Sequence, residues 1–334
     1  MILLGFLSPL DLKPGIRNGV RFAALWICGM YSQIFSATAA DHEGCLNQVI
    51  GMFQARVEQA RVQRRPYTLN FIEIAKQLRE CGVEDPHEVE PLLRSEKYRD
   101  VAVFAVMGLS STNYKPSAIA IGDLRDTIRR TGLANPGETE VAALQLVGCC
   151  GPPLDNVPFF KEQIAGAGAY GVSFIMKWLA ANWNTAGLSN NLTANELARQ
   201  SLEAFRALPK TDPRRFGWAQ VPIEASERGP FGTLPLATTY CDALASVLID
   251  PGKTPESLTE GGLLALLRLQ PVIPQQVDSA VDRIIAEAPR SRLVLMEKLL
   301  SASTKSLLSY VDKDLSSRVS EKISKKLSRR ESPP

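Results

Sequence analysis

Apolar residues recur at spacings of three and four along most of this chain, and few segments alternate with a period of two. That pattern predicts helices that each bury one face. Leu46, Val49, Ile50, Phe53 and Val57 share a face of a helix predicted over Cys45 to Val62. A basic run, Arg61 to Arg65, closes it and suits the negative end of the helix dipole. A second helix runs from Phe71 to Glu80, with Gly82 just past its end. Asp85-Pro86-His87-Glu88 reads as another start, with Asp85 as N-cap and Glu88 as its reciprocal capping partner; Pro91 cuts that helix short. Ile119, Leu124 and Ile128 give an apolar face to a helix over Pro116 to Thr131, stopped by Gly132. Further helices are predicted over Val172–Trp183, from a capping box at Thr193 and Glu196 to Pro209, over Tyr240–Ile249, from Thr254 to Pro271, over Pro274–Ala288 and over Ser291–Ser301.

One pattern occurs twice, 40 residues apart. Val101-Ala-Val-Phe-Ala-Val-Met-Gly108 aligns with Val141-Ala-Ala-Leu-Gln-Leu-Val-Gly148, and an acidic residue, Asp100 or Glu140, precedes each copy. Phe159, Phe160 and Ile164 follow Ile119, Ala120 and Leu124 at the same offset, and beyond Gly171 the register is lost. A helical period near 40 residues marks stacked helix pairs. On these two copies the chain resembles the HEAT-like helical repeat superfamily, although the family's fuller pattern of Pro, Asp and a basic residue is not seen. The resemblance implies an all-α, right-handed helix-pair solenoid of HEAT/armadillo kind with irregular repeats, and a binding scaffold rather than an enzyme.

Residues 209–235 interrupt the helical pattern with five prolines and three glycines. Irregular stretches of this length in a compact domain usually carry function or are disordered. Arg214, Arg215, Phe216 and Trp218 cluster there, with Arg228 and Phe231 further on. Arg and aromatic residues anchor interfaces more than other types, so the first four and Arg228 are the candidate contacts for a protein or peptide partner. Phe216 and Trp218 would alternatively pin the loop to the helices. From Leu307 to Leu327 an apolar residue falls on every fourth position among eight positive and four negative charges between Lys305 and Glu331. Residues 304–334 are therefore read as a basic amphipathic helix and tail, either solvated or in weak contact with an anionic membrane surface.

The N-terminus changes the picture of where the chain works. Lys13, Arg17 and Arg21 precede an uncharged, mostly apolar run from Phe22 to Phe35, and Ala37-Thr38-Ala39 offers a cleavage site. Residues 1–39 are read as a signal peptide, leaving 40–303 as the helical domain of an exported protein, periplasmic or extracellular. The same run would also suit a short buried helix or an uncleaved anchor. Losing Lys13, Arg17 and Arg21 with Asp11 takes the net charge from +3 to +1, which gives no electrostatic case for nucleic acid. Of the six cysteines, Cys28 leaves with the signal. Cys45 and Cys81 are candidates for a disulfide between the first two helices. Cys149 and Cys150 are adjacent, and read as a strained vicinal disulfide or as two small buried side chains.

Chemistry is sparse. Gly166-Ala-Gly168-Ala-Tyr-Gly171 spells G-x-G-x-x-G, but helical sequence precedes it and Asn190 and Asn191 stand near the acidic position that a dinucleotide site requires. Close helix approach or a helix break explains it better, and no cofactor is expected. The two histidines, His42 and His87, sit in no H-E-x-x-H or paired arrangement, so no metal site is expected. No catalytic residue is assigned. The alternative to a scaffold is an all-α hydrolase or lyase acting on cell-wall glycan or peptide through carboxylates, with Glu224 and Glu227 as first candidates. An apolar-ligand carrier built on Ile164 to Met176 would require a closed cavity.

Overall fold

A computed structural model describes residues 42–63, 68–110, 114–208, 229–233, 236–250, 256–301 and 312–328. Thirteen α-helices and no strand occur among them: α1 (His42–Val62), α2 (Phe71–Glu80), α3 (Arg99–Leu109), α4 (Ala118–Thr131), α5 (Glu138–Cys150), α6 (Pro153–Ile164), α7 (Ala169–Asn182), α8 (Leu192–Ala207), α9 (Leu236–Ile249), α10 (Glu256–Arg268), α11 (Pro274–Glu287), α12 (Arg290–Ser301) and α13 (Lys313–Ser328). The all-α class follows from the sequence pattern. Residues 1–39, read from the sequence as a signal peptide, and most of the long loop lie outside the described residues.

The helix ends show how local chemistry sets boundaries. Asn70 opens α2 by accepting from the N–H groups of Ile72 and Glu73, and Gly82 follows its end at φ +82°. Ser117 caps α4 through the Ala120 N–H, and the Glu90 carboxylate accepts from both the Ser117 N–H and hydroxyl, so the helix starts after Ser117 rather than at Pro116. Asp85 does cap through the His87 N–H, but the chain then makes two short 3₁₀ turns, Pro86–Glu88 and Glu90–Arg94, with a proline in each. Glu88 does not close the capping box; its carboxylate accepts from His42. Thr193 is likewise not a cap. Asn191 takes that role through the Ala194 N–H, two positions earlier.

The chain forms two compact units. In the first, which holds α1 to α5, helix α3 is the centre: Val101 through Val106 are all buried, and α1, α2 and α5 pack against it. Gly108 is where α3 meets α2 most closely, since a Cβ there would lie 2.3 Å from the Phe71 carbonyl oxygen. Cys45 and Cys81 are joined by a disulfide with Cα atoms 5.7 Å apart. In α4, Ala120, Ile121, Leu124, Thr127 and Ile128 face inward, and Ile119 is 65% exposed. Ile119 and Leu124 are five residues apart, which turns them about 140° from each other on a helix.

The second unit comprises residues 133–135 and the helices from α6 onward. Its core holds Phe159, Phe160, Phe174 and Trp178, with the Phe160 and Trp178 rings edge to face at 4.6 Å. Such a pair contributes about 1 kcal/mol beyond its buried area. The Gly-rich motif supports a close approach: the Gly168 N–H donates to the Leu133 carbonyl at 2.7 Å, and a Cβ on Gly168 would lie 2.0 Å from the Ala134 oxygen. Phe231, in the described end of the long loop, is fully buried with its ring 5.5 Å from that of Tyr240. The apolar stripe of α13 points inward, with Leu315, Val319 and Ile323 buried and the helix packed on α11 and α12.

Within each unit the principal packing is between helices one or two places apart in the chain: α6 with α7 and α8, α9 with α10 and α11, α10 with α12, α11 with α13. Ion pairs between helices two places apart keep a nearly constant separation. Arg61 and Asp100 are 39 residues apart, Asp242 and Arg283 meet across 41, and Asp282 and Lys322 across 40.

Candidate functional site

A cleft of about 460 Å³ opens in the first unit where the last turns of α1 and α4 meet the first turns of α3 and α5. Val57, Leu69 and Phe104 give it apolar surface, and Arg61, Arg99, Asp100, Arg130, Glu138 and Glu140 give it charge. The placement of each charge has a local cause. Arg61 and Arg130 stand in last turns, where the helix dipole favours cations; Asp100, Glu138 and Glu140 stand in first turns, where it favours anions. Four helix ends that converge therefore bring both signs together.

Most of these groups are engaged. Arg61 bonds Asp100 at 2.5 Å and Glu58 at 3.1 Å. The Thr68 hydroxyl donates to Glu138 at 3.0 Å. The Thr127 and Thr131 hydroxyls turn back to carbonyl oxygens one turn earlier in α4. Arg99 is different. Its Nε donates to the Leu93 carbonyl at 3.3 Å, but its Nη2 is buried without a hydrogen-bond partner. A buried, unsatisfied donor on a charged group costs about 1–3 kcal/mol or more, so a ligand acceptor there would be strongly favoured. Arg130 is exposed and makes no ion pair or hydrogen bond among the described residues. Two guanidinium groups thus line the cleft, Arg130 exposed and Arg99 with one enclosed nitrogen left without a partner among the described residues, charge of the sign suited to a carboxylate, beside apolar surface.

The candidates drawn from the sequence lie elsewhere. Arg214, Arg215, Phe216, Trp218, Glu224, Glu227 and Arg228 are outside the described residues. The His42 Nδ1–H donates to the Cys81 carbonyl at 3.0 Å, and its Nε2 pairs with Glu88, which raises its pKa chiefly through that side-chain bond. His87 pairs with Asp85 at 2.9 Å and faces Glu90 at 3.8 Å. His42 ties α1 to the 3₁₀ segment and His87 bonds within that segment, and neither lines the cleft. Arg99 and Arg130 carry no sequence motif. A usable signal did exist, however: Asp100 and Glu140, the acids repeated ahead of the two copies, both line the cleft because α3 and α5 pack together. Comparison with known proteins finds no family model, no curated protein and no solved structure that matches this chain.

Proposed function

We propose that this protein is an exported, non-enzymatic scaffold, built as a right-handed helix-pair solenoid of irregular repeats, that binds an extended segment of a partner protein bearing an acidic side chain. The observation that carries the reading is the unsatisfied Arg99 guanidinium nitrogen, with unpaired Arg130, at an open cleft between repeated helix ends. Principal packing between helices one or two places apart, and ion pairs at a near-constant separation of 39 to 41 residues, support the solenoid. Asp100 and Glu138 are held by Arg61 and Thr68, an arrangement that favours shaping a binding surface over moving protons. Export rests on the signal-like residues 1–39, and a second contact through Arg214, Arg215, Phe216, Trp218 and Arg228 rests on their composition.

Binding of fluorescent glutamate-containing peptides to the full chain, followed by anisotropy, tests this. A charge-assisted hydrogen bond is worth about 1.5–3 kcal/mol, so Arg130→Ala and Arg99→Met should each weaken binding about tenfold or more. Amide-for-acid peptides should lose the same factor. Equal affinity of wild type and both variants, or no preference of wild type for the acidic peptides, would overturn the assignment. Trp218→Ala in the same assay asks separately whether the loop contributes.

A further inference from the structure

Cys149 and Cys150 form the end of α5, followed by Gly151 as its C-cap. Both are free thiols and only half-buried, with Sγ atoms 2.8 Å apart. A disulfide bond is about 2.05 Å long, so closure needs well under an ångström of approach. The third free cysteine among the described residues provides an internal contrast: Cys241 is buried, its Sγ faces the Gln276 carbonyl at 3.7 Å, and burial pushes its thiol up to about 12.

We propose that Cys149 and Cys150 constitute a redox-active vicinal dithiol, a modification site that exchanges with small-molecule disulfides such as oxidised glutathione and closes to an intramolecular disulfide. The two sulfurs are not equivalent. Cys149 lies above its ordinary pKa because it is tied to Cys150, and Cys150 lies below its own, first through that bond and then through the Lys115 cation, with burial opposing. The C-terminal end of α5 also opposes an anion there, which leaves Lys115 as the balancing charge. Cys150 is therefore the attacking thiol. Its thiolate attacks one sulfur of the oxidant, and a glutathione thiolate leaves. Cys149 then gives up its proton to solvent, and its sulfur attacks the Cys150 sulfur of the mixed disulfide. The second glutathione thiolate leaves. One disulfide is reduced to two thiols while the two protein thiols lose two electrons and two protons. Neighbouring Cα atoms are 3.80 Å apart, below the usual disulfide span of about 4.4–6.8 Å. The ring closes with strain, and strained disulfides are the readily reduced, regulatory ones.

The test uses the full chain incubated with oxidised glutathione, trapped with an alkylating reagent and digested with trypsin. Residues 131–161 contain no internal Lys or Arg, so one peptide carries both cysteines and no other. This peptide should lose two hydrogens, resist alkylation and regain both thiols on reduction, while Cys241 stays unmodified. Cys149→Ser should instead retain one glutathione on Cys150. Phenylarsine oxide, which bridges two thiols with loss of water, should bind the reduced wild type one to one and bind neither Cys149→Ser nor Cys150→Ser. A wild-type peptide that carries glutathione or two alkyl groups without ring closure, or an arsenical that is not bound by the unaltered chain, would overturn the proposal.

Discussion

A methyl group on Gly108 would sit 2.3 Å from the Phe71 carbonyl oxygen and 2.7 Å from the Ala75 Cβ. Backbone cannot move aside as a side-chain tip can, and overpacking of this kind costs about 1–3 kcal/mol. Gly122 lies inside α4 with open space around it, where Gly to Ala gains about 0.5–1 kcal/mol from a stiffer unfolded chain and better helix propensity. Urea unfolding should therefore show Gly108→Ala destabilised by about 2 kcal/mol and Gly122→Ala stabilised, opposite signs for one chemical change. Two substitutions shifting stability in the same direction would break this account. His42 makes a second prediction. Its folded pKa is raised above 6.5 by the Glu88 carboxylate. A raised pKa means that the charged form is stabilised on folding. The contribution is complete below the unfolded value of about 6.5 and is lost as pH rises through the higher folded value. The difference in melting temperature between wild type and Glu88→Gln should be largest in mildly acidic solution and shrink above neutrality; a gap that grows with pH would contradict it. The pairing of these two residues could not be read from local sequence. Glu88 is well placed for the Asp85 cap, and only the arrival of α1, brought near by the Cys45–Cys81 bridge, offers it His42 instead.

Helix α13 shows what a periodic pattern does and does not settle. Its four-residue spacing of Leu315, Val319 and Ile323 is legible, and so is its excess of positive charge. Whether that stripe meets water, lipid or protein depends on what else the chain folds beside it, and here α11 and α12 cover it. Ile323 is fully buried, so Ile323→Ala should cost about 2–4 kcal/mol, at the lower end if the helix detaches locally. Hydrogen exchange should report faster exchange in α13 for that variant, while Lys325→Ala, on the exposed side, should change nothing beyond about 0.5 kcal/mol. Unaltered exchange in Ile323→Ala would mean that the stripe carries no packing energy. The same limit explains α8. Asn191 and Thr193 are both good caps, and the choice between them turns on backbone conformation: Asn191 sits extended at φ −95° with the 3₁₀ turn Leu188–Asn190 before it. For α4, a proline at 116 suggests a first helical turn, yet the Glu90 carboxylate holds Ser117 as the cap.

Along the full chain, the ion pairs at Arg61–Asp100, Asp242–Arg283 and Asp282–Lys322 serve as markers of register more than as sources of stability, since exposed pairs are worth about 0–1 kcal/mol each. Two of the three lie beyond Gly171, and each joins helices two places apart in the chain. Core positions accept any apolar residue of suitable size, so a pattern of residue identities is easily lost between helices that still pack together. The order of amino acids was enough to set the all-helical class, most helix positions to within a few residues, the close approach at the Gly166–Gly171 motif, and the shared register of Asp100 and Glu140. These depend on periodicity and on the conformational demands of single residues, which are local. Tertiary packing was needed to make the α13 stripe internal, to leave Cys149 and Cys150 half-exposed, and to converge Arg99 and Arg130 on one cleft. Those outcomes depend on which helix ends meet, and a guanidinium acquires or lacks a partner only through groups tens of residues away.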